Sequence, residues 1–242
     1  MTPPGAAGSG DSAGRDKRRA AAWGSGGGTA VRLVMLGPPG AGKGTQAERF
    51  ARDRGVPKIS TGDILREAVN NSSELGRAAK AIMDAGRLVG DDIMIGVVRE
   101  RLAREDAAAG FVLDGFPRTV AQAEALDGLL DARAPLVVVD IDVPEETLVR
   151  RLRSRRICAN CGWNAVPGIV ACARCGGALI QRSDDGEEVV RERLRIYARS
   201  TQPIVEFYQR RPTFRSVDGD QTTDAVAADL AAAVASVTGG RA

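Results

Sequence analysis

The chain contains no histidine among its 242 residues. A site in it cannot use an imidazole as general base or as metal ligand, so any metal must be held by thiolates or oxygens. Lysine is nearly as scarce: Lys and Arg total 34, and the only lysines are Lys17, Lys43, Lys58 and Lys80. No apolar run approaches membrane-spanning length, and no apolar stretch of the kind found in a secretory signal is present. A cytoplasmic protein without a membrane partner is expected. The net charge of +3 is small. Residues 1–30 hold Arg15, Lys17, Arg18 and Arg19 against Asp11 and Asp16, leaving about +1 for the remainder. Composition thus makes no case for a nucleic-acid partner.

At 43% hydrophobic residues the chain can bury a sizeable core, as one domain with insertions or two small ones. Residues 1–30 are rich in Gly, Ala, Ser and Pro and show no periodicity, so a floppy tail is expected there. Two other readings of that segment are an organellar transit peptide, which Asp11 and Asp16 argue against, and a natural start near Val31.

The stretch from Val31 to Thr45 organises the rest. An apolar run breaks at Leu36 into Gly-Pro-Pro-Gly-Ala-Gly-Lys-Gly-Thr, from Gly37 to Thr45, and an amphipathic segment follows. Gly37, Gly40 and Gly42 carry no Cβ, so the loop can turn its backbone N–H groups inward as an anion site. Lys43 opens a helix whose N-terminus adds positive potential. The spacing fits G-x-x-x-x-G-K in the strand–loop–helix setting that this phosphate-binding motif needs. Lys43 is a compact ammonium in an arginine-rich chain, as expected where a point charge must fit between phosphates. Gly44 stands where a Ser or Thr usually meets the metal, and Thr45 comes one residue late.

Further along, a helix is expected from Lys43 to about Asp53 with Ala47 and Phe50 inward, and a short strand over residues 56–60. A polar turn from Ser60 to Arg66 enters a helix that Asn70 to Ser73 interrupt. A second helix, Glu74 to Ala85, stops at Gly86. Asp91 and Asp92 cap the next, which runs to about Glu105. Phe111 to Asp114 is an apolar strand ending in a carboxylate. Thr119 and Gln122 have capping-box spacing, which gives Gln122 a structural explanation of its own. The β-branched run from Leu136 to Val143 reads as a strand buried on both faces, with Pro144 starting a helix. Phe214 to Val217 is a fifth strand, Asp218 and Gly219 turn, and an alanine-rich helix follows. The expected fold is α/β: a P-loop NTPase-type, doubly wound, five-stranded parallel sheet with helices on both faces and ligands at the carboxyl ends of its strands.

Cys158, Cys161, Cys172 and Cys175 form C-x₂-C…C-x₂-C, with Gly162 and Gly176 directly after each pair. Two thiolates three residues apart present one edge of a tetrahedron, and two such turns hold one Zn²⁺. Disulfides or one redox pair are the competing readings, without an oxidising compartment to support them. With no histidine the set is four thiolates, hence closed and structural. Arg151 to Arg156 and Arg182 to Asp185 bracket this module, giving it the layout of a guanidinium-lined lid over phosphates.

These motifs, with Ile-Ser-Thr-Gly-Asp-Ile-Leu-Arg (59–66), Ile-Met-Asp-Ala-Gly-Arg-Leu-Val (82–89), Asp-Gly-Phe-Pro-Arg-Thr (114–119) and Arg-Arg-Ile-Cys (155–158), make the stretch from Val31 to about Val217 resemble adenylate kinases of the long bacterial type with a zinc-binding lid. The resemblance implies reversible phosphoryl transfer from ATP to AMP, giving two ADP, with Mg²⁺ beside ATP, a structural Zn²⁺, no nucleic-acid or membrane partner, and a monomer. It divides the chain into a core (31–59, 90–153 and 186–242), an AMP-binding helical insert (60–89) and a zinc-ribbon-like lid (154–185). Because the acceptor is an anionic phosphate oxygen, no general base is needed.

By the same resemblance, Gly40, Ala41, Gly42, Lys43, Gly44 and Thr45 bind ATP, with Arg151 against the adenine and Arg155 at the phosphates. Arg66 and Arg118 hold the AMP phosphate. Thr61 and Gln122 read the AMP base, beside Gly115, while Leu65, Met83 and Val89 form its apolar slot; plain core packing is the competing explanation for those three. Lys43, Arg118, Arg155, Arg182 and Arg193 surround the transferring group, Arg182 and Arg193 also facing AMP. Asp114 organises magnesium-bound water, and Asp184 and Asp185 position the lid arginines. The lid tip, Gly162 to Ala171, is shorter than the pattern, and Trp163-Asn164 replaces its usual Tyr-His. Two rivals are a kinase for another nucleoside monophosphate, and a non-catalytic ATP-dependent module that binds nucleic acid through the ribbon. The second needs a basic ribbon, and Gly162 to Ala171 carries no charge.

Overall fold

A computed structural model of the chain describes residues 31–130, 134–166 and 168–239, so the expected tail over residues 1–30 lies outside the described residues. Strand β1 (Val31–Leu36) leads through the glycine loop to helix α1 (Lys43–Arg54), β2 (Lys58–Ser60), α2 (Thr61–Asn70), α3 (Glu74–Asp84) and α4 (Asp91–Leu102). Then come β3 (Gly110–Asp114), α5 (Val120–Leu129), β4 (Leu136–Asp142) and α6 (Glu145–Ser154). The cysteine module holds β5 (Ile157–Cys158) and β6 (Leu179–Ile180), and α7 (Glu187–Ile196), α8 (Gln202–Gln209), β7 (Phe214–Asp218) and α9 (Thr223–Thr238) follow. Among the described residues no helix is long and apolar enough to cross a membrane.

The five long-range strands pair in the order β2-β3-β1-β4-β7, every pair parallel. Alternate residues of β1 divide between two cores: Leu33 and Met35 pack with Ala47, Phe50, Leu148 and Leu230, while Val34 and Leu36 pack with Met94, Val98, Leu126 and Ile204. Helices therefore cover both faces, and each central strand reads as a continuous apolar run. The chain passes from β1 to β2 on one side of the sheet and later crosses from β3 to β4 on the other, which opens a crevice over the carboxyl end of β1.

Three local expectations shift. The second strand begins only at Lys58, because Gly55 (φ 65) closes α1 and the Val56 N–H is spent on Ala51 O at 3.0 Å. Asp91 and Asp92 lie in the first turn of α4 rather than capping it; Gly90 is the cap, and Asp91 instead accepts from Thr119 Oγ1 (2.9 Å) and Gln122 Nε2 (2.7 Å). That helix ends at Leu102, where the chain turns to extended backbone at Arg104 and Asp106 folds back onto Arg101. Sequence reading also leaves residues 197–209 unassigned. They form a π turn, Tyr197–Thr201, running into α8 with Pro203 in its first turn. Pro203 has no N–H to give, so the ladder widens there instead of continuing from α7.

Candidate active site

The loop after β1 is pressed against its neighbours. A Cβ on Gly37 (φ 134) would stand 2.7 Å from Ile141 O, and one on Gly40 (φ 90) 3.1 Å from Leu148 O, so only glycine fits either place. Gly42 caps α1 without a side-chain bond, which leaves the first N–H groups of the helix for an anion. Lys43 folds back over this loop, its Nζ donating to Gly37 O (2.6 Å) and Pro38 O (2.9 Å). Burial pulls the ammonium down to about 8; Asp114 opposes the shift, and Arg118 and Arg193 add to it.

Beside the loop lies a cavity that Lys43 helps to line. α2 brings Thr61, Leu65 and Arg66 to it; α3 and the segment after it bring Met83 and Val89. The turn after β3 and the start of α5 bring Gly115, Arg118 and Gln122, and the two ends of the Arg182–Arg193 segment face it as well. All ten residues expected on the AMP side thus face one space. Leu65 and Val89 also belong to the core, so packing and lining coincide at these two. Gly115 O accepts from both Thr61 Oγ1 and Arg118 Nε, each at 2.8 Å, fixing the two side chains against each other. Gln122 is held at both ends of its amide: Oε1 accepts from Arg118 N (2.8 Å) and Nε2 donates to Asp91. Thr119 caps α5 as expected, but Gln122 returns to Arg118 N–H and not to its own cap residue.

Three arginines are held by two carboxylates. Asp185, 1% exposed, accepts from Arg155 Nε (2.7 Å) and from Arg193 (3.2 Å). Asp184 accepts both arms of Arg182 (2.8 and 2.7 Å) and pairs with Arg193 at 3.1 Å. Burial works against the Asp184 charge, yet Arg193 and Arg182 hold its carboxyl below the usual range. Burial, together with Arg155 and Arg182, brings Arg193 down to about 10. Arg118 and Arg66 are lowered too, first by burial and then by neighbouring guanidinium groups. The cavity wall is an excess of desolvated cations, the electrostatic complement of a polyphosphate.

Gly40, Ala41, Gly42, Gly44 and Thr45 lie in the loop and the first turn of α1, outside the cavity lining, as do Arg155 and Asp114. A Cβ on Gly44 would stand 3.3 Å from Asp114 Oδ2, so the small residue leaves this carboxylate open above the helix start. Arg151 donates to Gly219 O (2.9 Å), which joins α6 to the turn after β7. Sequence reasoning missed Arg87, Tyr197 and Thr201, which also line the cavity. Arg87 sits inside a quoted motif; the π turn that brings the other two is marked in the sequence by Pro203 just after it, without any periodic pattern. It also missed Asp140, whose carboxyl is pushed up to about 6 by burial and by Asp142, against the pull of Lys43, and whose Oδ1 is buried without a hydrogen-bond partner.

The four cysteines are free thiols with their Sγ atoms all within 4.8 Å of one another. Closest approaches of 3.4 Å (Cys158 to Cys175) and 3.6 Å (Cys161 to Cys172) are far beyond a disulfide and near the ~3.8 Å edge of a tetrahedron with 2.3 Å metal–sulfur bonds. Each pair is closed by the same device: Gly162 (φ 69) donates to Cys158 O, and Gly176 (φ 70) to Cys172 O. The set could hold one metal ion. The module lies against α1, with Arg174 on Glu48 at 3.0 Å.

The family model described as Adenylate kinase matches residues 35–213. An adenylate kinase of Archaeoglobus fulgidus is 48% identical over 206 residues, covering 81% of this chain and 94% of its own. One from a Geobacter strain is 48% identical over 212 residues, 84% of this chain and 99% of its own, and one from a Geobacillus strain is 47% identical over 208 residues, 83% and 96%. Matches of this extent cover the glycine loop, the cationic cavity and the cysteine module together, and the chain belongs to the adenylate kinase family.

Proposed function

We propose that the protein transfers the γ-phosphoryl group of ATP to AMP, reversibly, giving two ADP. The observation that carries this reading is the convergence of Lys43, Arg66, Arg118, Arg182 and Arg193 on one cavity at the phosphate loop. ATP lies with its phosphates over the loop from Gly40 to Thr45 and its base near Arg151 and the turn at Gly219. AMP lies opposite, its phosphate between Arg66 and Arg118, its base beside Thr61 and Gln122 in the slot of Leu65, Met83 and Val89.

An oxygen of the AMP phosphate attacks the γ-phosphorus in line, the bond from that phosphorus to the β–γ bridging oxygen breaks, and the electron pair leaves on ADP. The attacking oxygen is already anionic, so no side chain removes a proton. Catalysis comes from positioning and from cations fixed before the charge develops. Lys43 leaves the loop carbonyls for the transferring phosphate, and Arg155, Arg182 and Arg193, braced by Asp184 and Asp185, surround it as the lid closes. The open carboxylate of Asp114 suits a hydrated divalent cation, and Mg²⁺ there supplies further charge neutralisation when bound with ATP. Cys158, Cys161, Cys172 and Cys175 suit Zn²⁺ in a structural role, which fits a reducing compartment such as the cytoplasm. Residues 60–89 then act as the AMP-binding insert and 154–185 as the lid on a core of 31–59, 90–153 and 186–242.

Initial rates with AMP, CMP, UMP and GMP as acceptors, ATP and Mg²⁺ in excess, test the reading. AMP is expected to be fastest; an AMP rate no better than the others defeats the base assignment, and nucleic-acid binding without any transfer defeats the whole.

A further inference from the structure

Arg174, set between two of the cysteines, is the first member of a row of alternating charges that crosses four parts of the fold. Its guanidinium meets Glu48 Oε1 on α1 at 3.0 Å. Glu48 Oε2 faces Lys58 Nζ on β2 at 3.5 Å, and the same ammonium faces Asp63 Oδ2 on α2 at 3.4 Å. Asp63 in turn pairs with Arg66 one turn along its helix. Lys58 is 19% exposed, the least exposed side chain of the row, and it sits between two carboxylates at nearly equal distance. Burial opposes both carboxylate charges, but Arg174 and Lys58 hold Glu48 below the usual range, and Arg66 and Lys58 do the same for Asp63.

We propose that this row couples docking of the cysteine module to the acceptor-phosphate arginine, with Glu48 and Lys58 as positioning residues for Arg66. The inference rests on the assignment of Arg66 to the AMP phosphate. A cation shared by two carboxylates goes to the one left less compensated. With the module docked, as it is here, Arg174 shares Glu48, so that Lys58 can share Asp63 with Arg66 and weaken the carboxylate's hold on that arginine. The guanidinium is then available to a phosphate in the cavity. With the module undocked, Glu48 draws Lys58 away, Asp63 is left to Arg66 alone, and the arginine is withheld. Closure on the ATP side thereby tightens the AMP side through charge, without a shared ligand.

The sign of each variant differs from that of a general structural role. Partly exposed pairs of this kind support effects of about two- to fivefold, shrinking as salt screens them. Arg174→Ala raises the KM for AMP by that factor, and Arg174→Lys restores most of it. Lys58→Met raises the same KM while sparing that for ATP. In the Lys58→Met background Arg174→Ala has no further effect on it. Glu48→Gln lowers the KM for AMP, because Lys58 is then left to Asp63. The decisive experiment is this cycle, measured on the purified full chain with its metal. Effects of Arg174→Ala and Lys58→Met that multiply independently overturn the coupling, as does a Glu48→Gln protein with a raised KM for AMP. If Arg174→Ala fails to fold, Lys58→Met and Glu48→Gln still decide the question by their opposite signs. A wild-type protein that makes no ADP from ATP and AMP defeats the functional assignment instead, a result distinct from normal turnover with uncoupled variants.

Discussion

Lys43 and Asp140 are close enough for each charge to act on the other, and burial moves each towards its neutral form. At pH 8 roughly half of the ligand-free Lys43 is unprotonated, since its value has fallen to about 8. Polyphosphate favours the charged form and raises that value again. Binding of ATP at pH 8 is therefore expected to take up about half a proton at this group. Calorimetric titrations in buffers of different ionisation heat measure it, and proton release on binding would contradict the assignment. Asp140 works in the opposite sense for stability. Its folded value of about 6 lies above the ordinary 3.8, so the carboxylate destabilises the fold increasingly from about pH 4 to about pH 6 and fully above that. Asp140→Asn is expected to raise stability at pH 8 by on the order of 1 kcal/mol, with the gain vanishing below about pH 4. Thermal midpoints across that window check it, and a gain of equal size at pH 3.5 would point to a cause other than charge.

At the scale of elements, the cysteine module has little apolar matter to hold it. Two residues in each of β5 and β6 pair across it, while Val166 (56% exposed) and Val170 (95% exposed) stay in solvent. A metal ion held by the four thiolates would then contribute directly to its folding. Removing the metal with a strong chelator is expected to lower the thermal midpoint and to expose the module to proteolysis first. An unchanged midpoint would show that the four sulfurs hold nothing. Helices α2 and α3 are tied together differently, by backbone contact: a Cβ on Gly76 would come within 2.0 Å of Ala68 O, so these helices meet at a glycine. Nothing in the interrupted helical pattern of residues 60–85 announces that approach. It depends on how the two helices cross.

For the molecule as a whole, the motifs that recur locally were legible and the parts that depend on crossing elements were not. The loop from Gly37 to Lys43, the strand ending at Asp114 and the paired cysteines each carry their geometry within a few residues, and the structure puts them where their spacing implies. Strand order, by contrast, is a property of the sheet, yet alternating strands and helices sufficed for a parallel one because both faces of Leu136 to Ile141 had to be covered. Tyr197 and Thr201 reach the cavity from a π turn that runs into the helix of Pro203, and the row from Arg174 to Arg66 joins residues more than a hundred positions apart. Neither leaves a periodic trace. The central claim is that the lysine and arginine cavity performs phosphoryl transfer, and one comparison tests it most directly: ADP formed from ATP and AMP by the wild type and by Lys43→Met, with thermal midpoints recorded for both. The expected result is two ADP per AMP consumed by the wild type and a fall of roughly two orders of magnitude or more in the variant at an undiminished midpoint. Near-normal turnover by Lys43→Met would contradict it.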